Sequence, residues 1–351
     1  MGGGPDSGNL PVRVVGRSMK PEAAVAVVPP SIVTVTMNPA LDISTDTDIV
    51  RATEKIRCGA VRYDPGGGGV NVARVAQELG ARVCAVLPVG GSTGATVAGL
   101  LEEAHVPFQA VRIGGTTRES FTVNERSSGR QFRFVLPGPL LTLTEQQACL
   151  DRIRTASAGA RFVVASGSLP PGVAPDFYQR VADIAHASNA RLILDASGCG
   201  LAGISSGAFM VKPSLRELAE LTGRPLETQA DQIEAARGLI DRGITETVVV
   251  SCGSRGALLV TAGGGRHVAP IPVAGGSGVG AGDAMVAAIA VALCRAWTLD
   301  DAVRYGVAAG AAMLMTPGTA TCRGADVEQF FGGSSDCADP AEPPGAHAAP
   351  G

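Results

Sequence analysis

The sequence predicts an α/β fold: a mostly parallel sheet covered by helices, with a small antiparallel β piece set apart from it. Three observations carry this. After Pro137, short β-branched runs alternate with helical stretches, the pattern that wraps helices around parallel strands. Glycine-rich loops twice open directly into apolar helices, at 65–74 and 278–285. Two stretches, 43–63 and 118–135, alternate apolar and polar residues, as half-exposed strands do.

The chain has 351 residues, of which 45% are hydrophobic, enough for one large α/β domain or two smaller ones. No apolar run reaches the length of a membrane span. Residues 1–30 read as a disordered leader without the continuous apolar segment of a signal peptide. The domain then runs over 31–331, and 332–351 is a Gly/Ala/Pro/Ser-rich tail expected to be disordered. A net charge of -3 gives no argument for nucleic acid or an anionic membrane. The eight cysteines contain no Cys-x-x-Cys, and the four histidines are scattered. This usage points to free thiols in a reducing cytoplasm and excludes a disulfide framework or zinc site. Lys20, Lys55 and Lys212 are the only lysines, which makes the two inside motif-like stretches worth following.

The first strand is the β-branched run 32–36. Asn38-Pro39 ends it, and Asp42 is expected just beyond, either at a ligand edge of the sheet or as a turn residue. Strands at 43–50 and 55–63 follow. Gly66-Gly67-Gly68-Gly69 then opens a helix with Val72, Val75, Ala76 and Leu79 on its apolar face. Strand 83–87, a helix to 101 and strand 108–113 come next. Strands 118–124 and 130–135 flank Glu125-Arg126-Ser127-Ser128-Gly129, a hairpin. Helix 144–157, strand 161–165, helix 175–187 and strand 191–194 alternate in turn. Strand 209–212 leads to a helix starting at 213–217. Helix 231–242 precedes strand 247–250 and a hairpin at 257–260 and 266–269. Helices at 284–293, 299–316 and 325–331 close the fold. Asp42, Ser166-Gly167-Ser168, Lys212, Ser251 and Asp283 all follow strands or enter helices, so they fall on one sheet edge.

Gly278-Val279-Gly280-Ala281-Gly282-Asp283 has two readings. Glycines before a helix start, with a carboxylate in its mouth, suit an anion hole beside a base, as phosphoryl transfer requires. The same residues would also serve as a turn and a cap. The 66–69 loop fits a dinucleotide fingerprint badly: its glycines are contiguous, Asn71 occupies the third Gly/Ala position, and no acidic residue ends the next strand. That argues against a dehydrogenase. Arg118 and Arg133 are of the type that clamps a phosphate, or are solvated strand residues.

Taken together, Pro65-Gly66-Gly67-Gly68-Gly69-Val70-Asn71-Val72-Ala73-Arg74, Gly280-Ala281-Gly282-Asp283, Met37-Asn38-Pro39-Ala40-Leu41-Asp42 and Ser166-Gly167-Ser168-Leu169-Pro170-Pro171-Gly172 resemble the PfkB (ribokinase-like) carbohydrate kinase family over about 31–331. The resemblance implies a three-layer α/β/α ribokinase-like fold with the antiparallel piece as a lid. It implies an ATP-dependent sugar-phosphate kinase with magnesium. Asp283 would be the general base, and the Gly280, Ala281 and Gly282 amides the anion hole. Asp42, Gly67, Gly68 and Asn71 would hold sugar hydroxyls. Lys55, Arg118, Arg133 and Ser168 would hold the phosphate already on the sugar. Lys212, Ser251 and Gly253 would contact the nucleotide, and Glu217 would lie near magnesium through water.

Fructose 1-phosphate kinases of the family typically carry lysine in the glycine loop. Gly68 stands there, as in the 6-phosphofructokinase branch, so fructose 6-phosphate is the expected substrate, with its epimer tagatose 6-phosphate or fructose 1-phosphate as the alternatives. Two positions depart from the pattern. Ser214 replaces the asparagine of Asn-x-x-Glu and is a shorter partner for a magnesium-bound water. Ala320 replaces an arginine, which puts a monovalent-cation site in question. Family lids pair between subunits, so a homodimer is expected. A non-catalytic sensor of sugar phosphate and nucleotide is the reading from another class, and the intact Asp283 turn weighs against it.

Overall fold

The computed structural model describes residues 1–2, 29–273, 278–316 and 320–333. Most of the expected leader and tail, 3–28 and 334–351, lies outside the described residues. The chain opens with β1 (Ile32–Val35), β2 (Ala40–Thr47), β3 (Arg62–Gly66), α1 (Gly68–Glu78), β4 (Val83–Val89), α2 (Gly91–Glu103) and β5 (Phe108–Arg112). The hairpin β6 (Arg118–Glu125) and β7 (Gln131–Val135) follows, then α3 (Leu143–Ala156), β8 (Phe162–Ser166), α4 (Phe177–Ala187) and β9 (Arg191–Asp195). After a short α5 (Cys199–Ala202) come β10 (Ala208–Val211), α6 (Leu215–Thr222), α7 (Gln229–Asp241) and β11 (Thr245–Ser251). The hairpin β12 (Ala257–Thr261) and β13 (Gly264–Val268) precedes the closing helices α8 (Ala281–Cys294), α9 (Leu299–Leu314) and α10 (Gly324–Gly333).

Nine strands form the main sheet in the order β13-β12-β11-β10-β9-β8-β1-β4-β5. All neighbours are parallel except the β11–β12 and β12–β13 pairs at one edge. The strands alternate sides with period two. Ile32, Val164 and Ile193 point to a core shared with α1, α8 and α9. Val33, Val163 and Leu194 point to a second core shared with α3, α4 and α7. Helix α8 is apolar all round (Ala284–Ala292 are buried), as an element sandwiched between the sheet and α9 must be. The chain leaves β1 toward β4 and leaves β8 toward β9. Adjacent β1 and β8 therefore form the switch point where a crevice opens.

The second sheet is the expected lid, ordered β3-β2-β6-β7. The β2–β3 and β6–β7 pairs are antiparallel. They join through a parallel β2–β6 pairing that runs from Ala40↔Arg118 to Thr47↔Glu125. Two expectations change here. Residues 55–61 are not strand; they run beside β2 on scattered bonds, such as Thr47 Oγ1 to the Arg57 carbonyl (3.3 Å) and Gly59 N–H to the Asp46 carbonyl (2.8 Å). Asp42 is not in a turn after β1. It lies within β2, paired with Asp64 and Ser120.

Buried side chains hold the lid at both ends. At its root, Asp64 accepts from Arg62 Nε (2.8 Å) and from Arg74 Nη2 of α1 (3.3 Å). At its tip, buried Glu125 accepts from the Val50 N–H (2.7 Å), from Ser128 Oγ and from Arg130 Nη2 (2.9 Å). The register separates two faces. One carries Asp42, Ser120, Thr122 and Arg133; the other carries Tyr63, Ile43, Phe121 and Phe134 in a row across all four strands.

Candidate active site

The crevice at the β1/β8 switch is built by two helix N-termini that meet over it. Helix α1 begins at the glycine loop, and α8 begins at Gly280, whose φ of 76° favours a residue without Cβ. The loop glycines are dictated by close approach. A Cβ on Gly68 would overlap Ser166 Oγ, and one on Gly66 would overlap the Asp42 carboxylate. Four glycines in a row thus bring α1, the end of β8 and lid strand β2 into contact.

Asp283 sits in the first turn of α8, half-buried. Its Oδ2 accepts from Asn71 Nδ2 (2.9 Å) and its Oδ1 from Ser166 Oγ (3.1 Å). Beside it, Lys212 at the end of β10 forms a buried ion pair with Asp195 at the end of β9 (Nζ–Oδ1 3.1 Å). A Cβ on Gly282 would come within 3.4 Å of Lys212 Nζ, so the ammonium lies against the first turn of α8. Two carboxylates here face one ammonium in a desolvated crevice. Desolvation, and then the charge of Asp195, push Asp283 up to about 7 against the hydrogen bonds of Asn71 and Ser166. Burial likewise raises Asp195, against the pull of Lys212. Burial alone would lower Lys212, but Asp195, Asp283 and Glu217 together hold it above the ordinary lysine range.

The lid forms the other wall of the crevice, with Asp42 against the glycine loop. Burial pushes Asp42 up to about 6, opposed by Arg118 and Arg133. Arg118 is already engaged: Nε and Nη2 donate to the Asn38 carbonyl (3.2 and 3.1 Å), and Nη1 to Ser120 Oγ (3.2 Å) and the Leu136 carbonyl (3.3 Å). Arg133 is exposed, as is Ser168. A cavity of about 550 Å³ opens among Asn38, Arg118, Gly138, Ser168 and Cys199. Lys55 is not brought into this group; it is exposed on the loop after β2 and forms no ion pair among the described residues.

Ser251 ends β11, bridges to Ser214, and leads to the turn that begins at exposed Gly253. His267 hydrogen-bonds the Arg255 carbonyl (2.7 Å), which sets β13 beside that turn. A cavity of about 640 Å³ lies there, walled by Val268, Ile271, Arg304, Val307 and Phe330. Ser214 and Glu217 form the capping box of α6: Ser214 Oγ accepts from the Glu217 N–H (3.2 Å), and Glu217 Oε2 accepts from the Ser214 N–H (2.8 Å). Ser214 thus has a structural task of its own. Of the three amides expected at the anion hole, that of Ala281 is directed at the Gly278 carbonyl (3.4 Å). The remaining first-turn amides have no intrahelical acceptor.

Asp195 was missed as a site residue in the sequence, and Ser166, though placed on the sheet edge, was given no role at Asp283. Ser166 ends β8, the neighbour of β1, and Asp195 ends β9, the next strand out; the ends of these central parallel strands were the signal available.

A family model for the pfkB family carbohydrate kinases matches residues 35–325. The ATP-dependent 6-phosphofructokinase isozyme 2 of Mycobacterium tuberculosis (strain H37Rv) is 61% identical over 302 residues, covering 86% of this chain and 89% of that one. The isozyme 2 of Escherichia coli (strain K12) is 38% identical over 302 residues, covering 86% and 97%. Among solved structures, the phosphofructokinase-2 from Escherichia coli in complex with fructose-6-phosphate superimposes with a TM-score of 0.82 at 36% identity, covering 87% of this chain and 99% of that one. With a family match across most of its length and relatives at these identities, the chain belongs to the pfkB family of carbohydrate kinases, phosphotransferases that act on a hydroxyl.

Proposed function

We propose that the chain transfers the γ-phosphoryl group of ATP to fructose 6-phosphate, yielding fructose 1,6-bisphosphate. The observation that carries this reading is the placement of Asp283, between an ammonium on one side and an arginine-bearing lid on the other. The names of the Mycobacterium and Escherichia relatives support it, as does the sugar phosphate bound in the Escherichia structure.

Asp283 takes the proton of the acceptor hydroxyl. Asn71 and Ser166 fix its two oxygens, so that hydroxyl meets an oriented lone pair. The Gly280 and Gly282 amides face the moving phosphoryl group with the positive end of α8, while that of Ala281 is directed at the Gly278 carbonyl. Asp42, Gly67, Gly68 and Asn71 hold the sugar hydroxyls, and Arg118, Arg133 and Ser168 hold its phosphate. Lys212, Ser251 and Gly253 take the nucleotide phosphates and ribose, and the 640 Å³ cavity beside the 251–256 turn takes the base. Magnesium belongs to this reaction class. The excess of carboxylate over ammonium around Lys212 fits a cation, and Glu217 would hold it or its waters; when bound it neutralises phosphate charge. The lid excludes water while the transfer occurs.

The apolar lid face, with Tyr63 52% and Phe134 55% exposed, is assigned to a second copy of the chain. Its row of four large apolar side chains runs across the sheet, with Tyr63 and Phe134 exposed and Ile43 and Phe121 half-buried. The mass in solution should be that of two chains; a monomer at micromolar concentration would contradict the assignment.

Steady-state assays with ATP and magnesium should rank fructose 6-phosphate above tagatose 6-phosphate and fructose 1-phosphate in kcat/KM. A preference for fructose 1-phosphate would overturn the substrate. Arg118→Ala should raise the sugar-phosphate KM by about 10- to 100-fold, the scale of a charged hydrogen bond, and leave the ATP KM nearly unchanged. Equal effects on both would remove Arg118 from the acceptor site.

The acid limb of the pH profile follows from Asp283. Below about 7 the carboxyl holds its proton and cannot accept another, so kcat/KM should fall as pH drops through that value. Asp195→Asn removes the charge that raises Asp283 and leaves Lys212 to face it. Both changes lower the Asp283 pKa, so the limb should move to lower pH. A limb that stays or moves up would contradict this account.

A further inference from the structure

Asn38, between β1 and β2, has no role in the mechanism above. It is only 8% exposed, yet three separate pieces of the fold meet on it. Its backbone carbonyl accepts both Nε and Nη2 of Arg118 from lid strand β6. Its side-chain Nδ2 donates to Ser168 Oγ (3.3 Å), in the loop after β8. Its Oδ1 lies so close to Gly138, in the segment leaving the lid, that a Cβ there would overlap it. Asn38, Arg118, Gly138 and Ser168 all line the same 550 Å³ cavity.

The amide is not kept for internal hydrogen bonding alone. Oδ1 is buried with no hydrogen-bond partner among the described residues, a cost that an apolar residue in its place would avoid. What the side chain does provide is the bond to Ser168. Ser168 is otherwise exposed, and its hydroxyl would be free to rotate. Arg118 is fixed to the same residue through the backbone, so one residue sets the separation of a guanidinium and a hydroxyl across the cavity.

We propose that Asn38 is a positioning residue for the acceptor's phosphate, holding Ser168 and Arg118 so that both meet one phosphate group. The inference rests on the phosphosugar reading of the site. Because the Arg118 contact uses the backbone, Asn38→Ala removes only the Ser168 arm. It is expected to raise the fructose 6-phosphate KM by about tenfold, the scale of one hydrogen bond to a charged group, with kcat and the ATP KM nearly unchanged.

The deciding readout is discrimination: the ratio of kcat/KM for fructose 6-phosphate to that for fructose. Asn38→Ala should lower this ratio by the same factor, Ser168→Ala should reproduce the loss, and the double variant should lose no more than either alone. Asn38→Ser, which keeps a small donor, should show an intermediate loss and carries the test if the alanine variant does not fold. An unchanged ratio, or equal losses on both sugars, would overturn the proposal. A wild-type enzyme with no preference for fructose 6-phosphate over fructose would instead overturn the function on which it rests.

Discussion

Two carboxylates and one ammonium share a desolvated crevice at the mouth of an apolar helix, and the rest of the structure is arranged around that charge cluster. Asp195 and Asp283 cannot both ionise cheaply so close together, and Lys212 offsets only one of them. Burial, and then the charge of Asp195, leave Asp283 able to hold a proton near neutrality. Each of the three groups ends a central strand or opens the buried helix behind them. Their separation is therefore set by the sheet, not by flexible loops.

The glycine loop and the lid turn this cluster into a two-sided site. The loop glycines let α1 approach Ser166 and let lid strand β2 bring Asp42 against the crevice. The parallel β2–β6 pairing carries Arg118 to the same level as Ala40, two residues from Asp42. Glu125–Arg130 anchors the tip of the lid, and Asp64–Arg74 ties its root to α1, with a second junction to the core near Asn38. Contacts to Arg118 and Ser168 converge there, so the lid and the loop after β8 share one reference point.

Much of this was legible in the residues. Strand and helix alternation after Pro137 appeared where periodicity placed it, because buried parallel strands leave continuous β-branched runs such as Val163-Val164 and Val248-Val249-Val250. The lid was harder. Residues 55–61 alternate like a strand, but hydroxyl-to-carbonyl bonds hold them beside β2 without a ladder. Asp42 read as a turn residue because Asn38-Pro39 does end β1, while nothing local says that the chain re-enters a strand at Ala40. The partners of Asp283 were also out of reach of local patterns. Asn71 and Ser166 lie 212 and 117 residues away, and only the sheet order brings them to one point. Ser214 was weighed as a metal partner, yet its spacing to Glu217 is that of a capping box, and the cap is what forms.

The central claim is that Asp283 acts as the base, and the most direct measurement is turnover of Asp283→Asn with fructose 6-phosphate and ATP, alongside calorimetric binding of each substrate. The replacement keeps the side chain's shape, removes its charge and its capacity to take a proton, and leaves one oxygen to accept from Asn71 or Ser166. The account predicts kcat reduced by roughly 10²- to 10⁴-fold with both substrates still bound. A purified Asp283→Asn enzyme that turns over at the wild-type rate would contradict it.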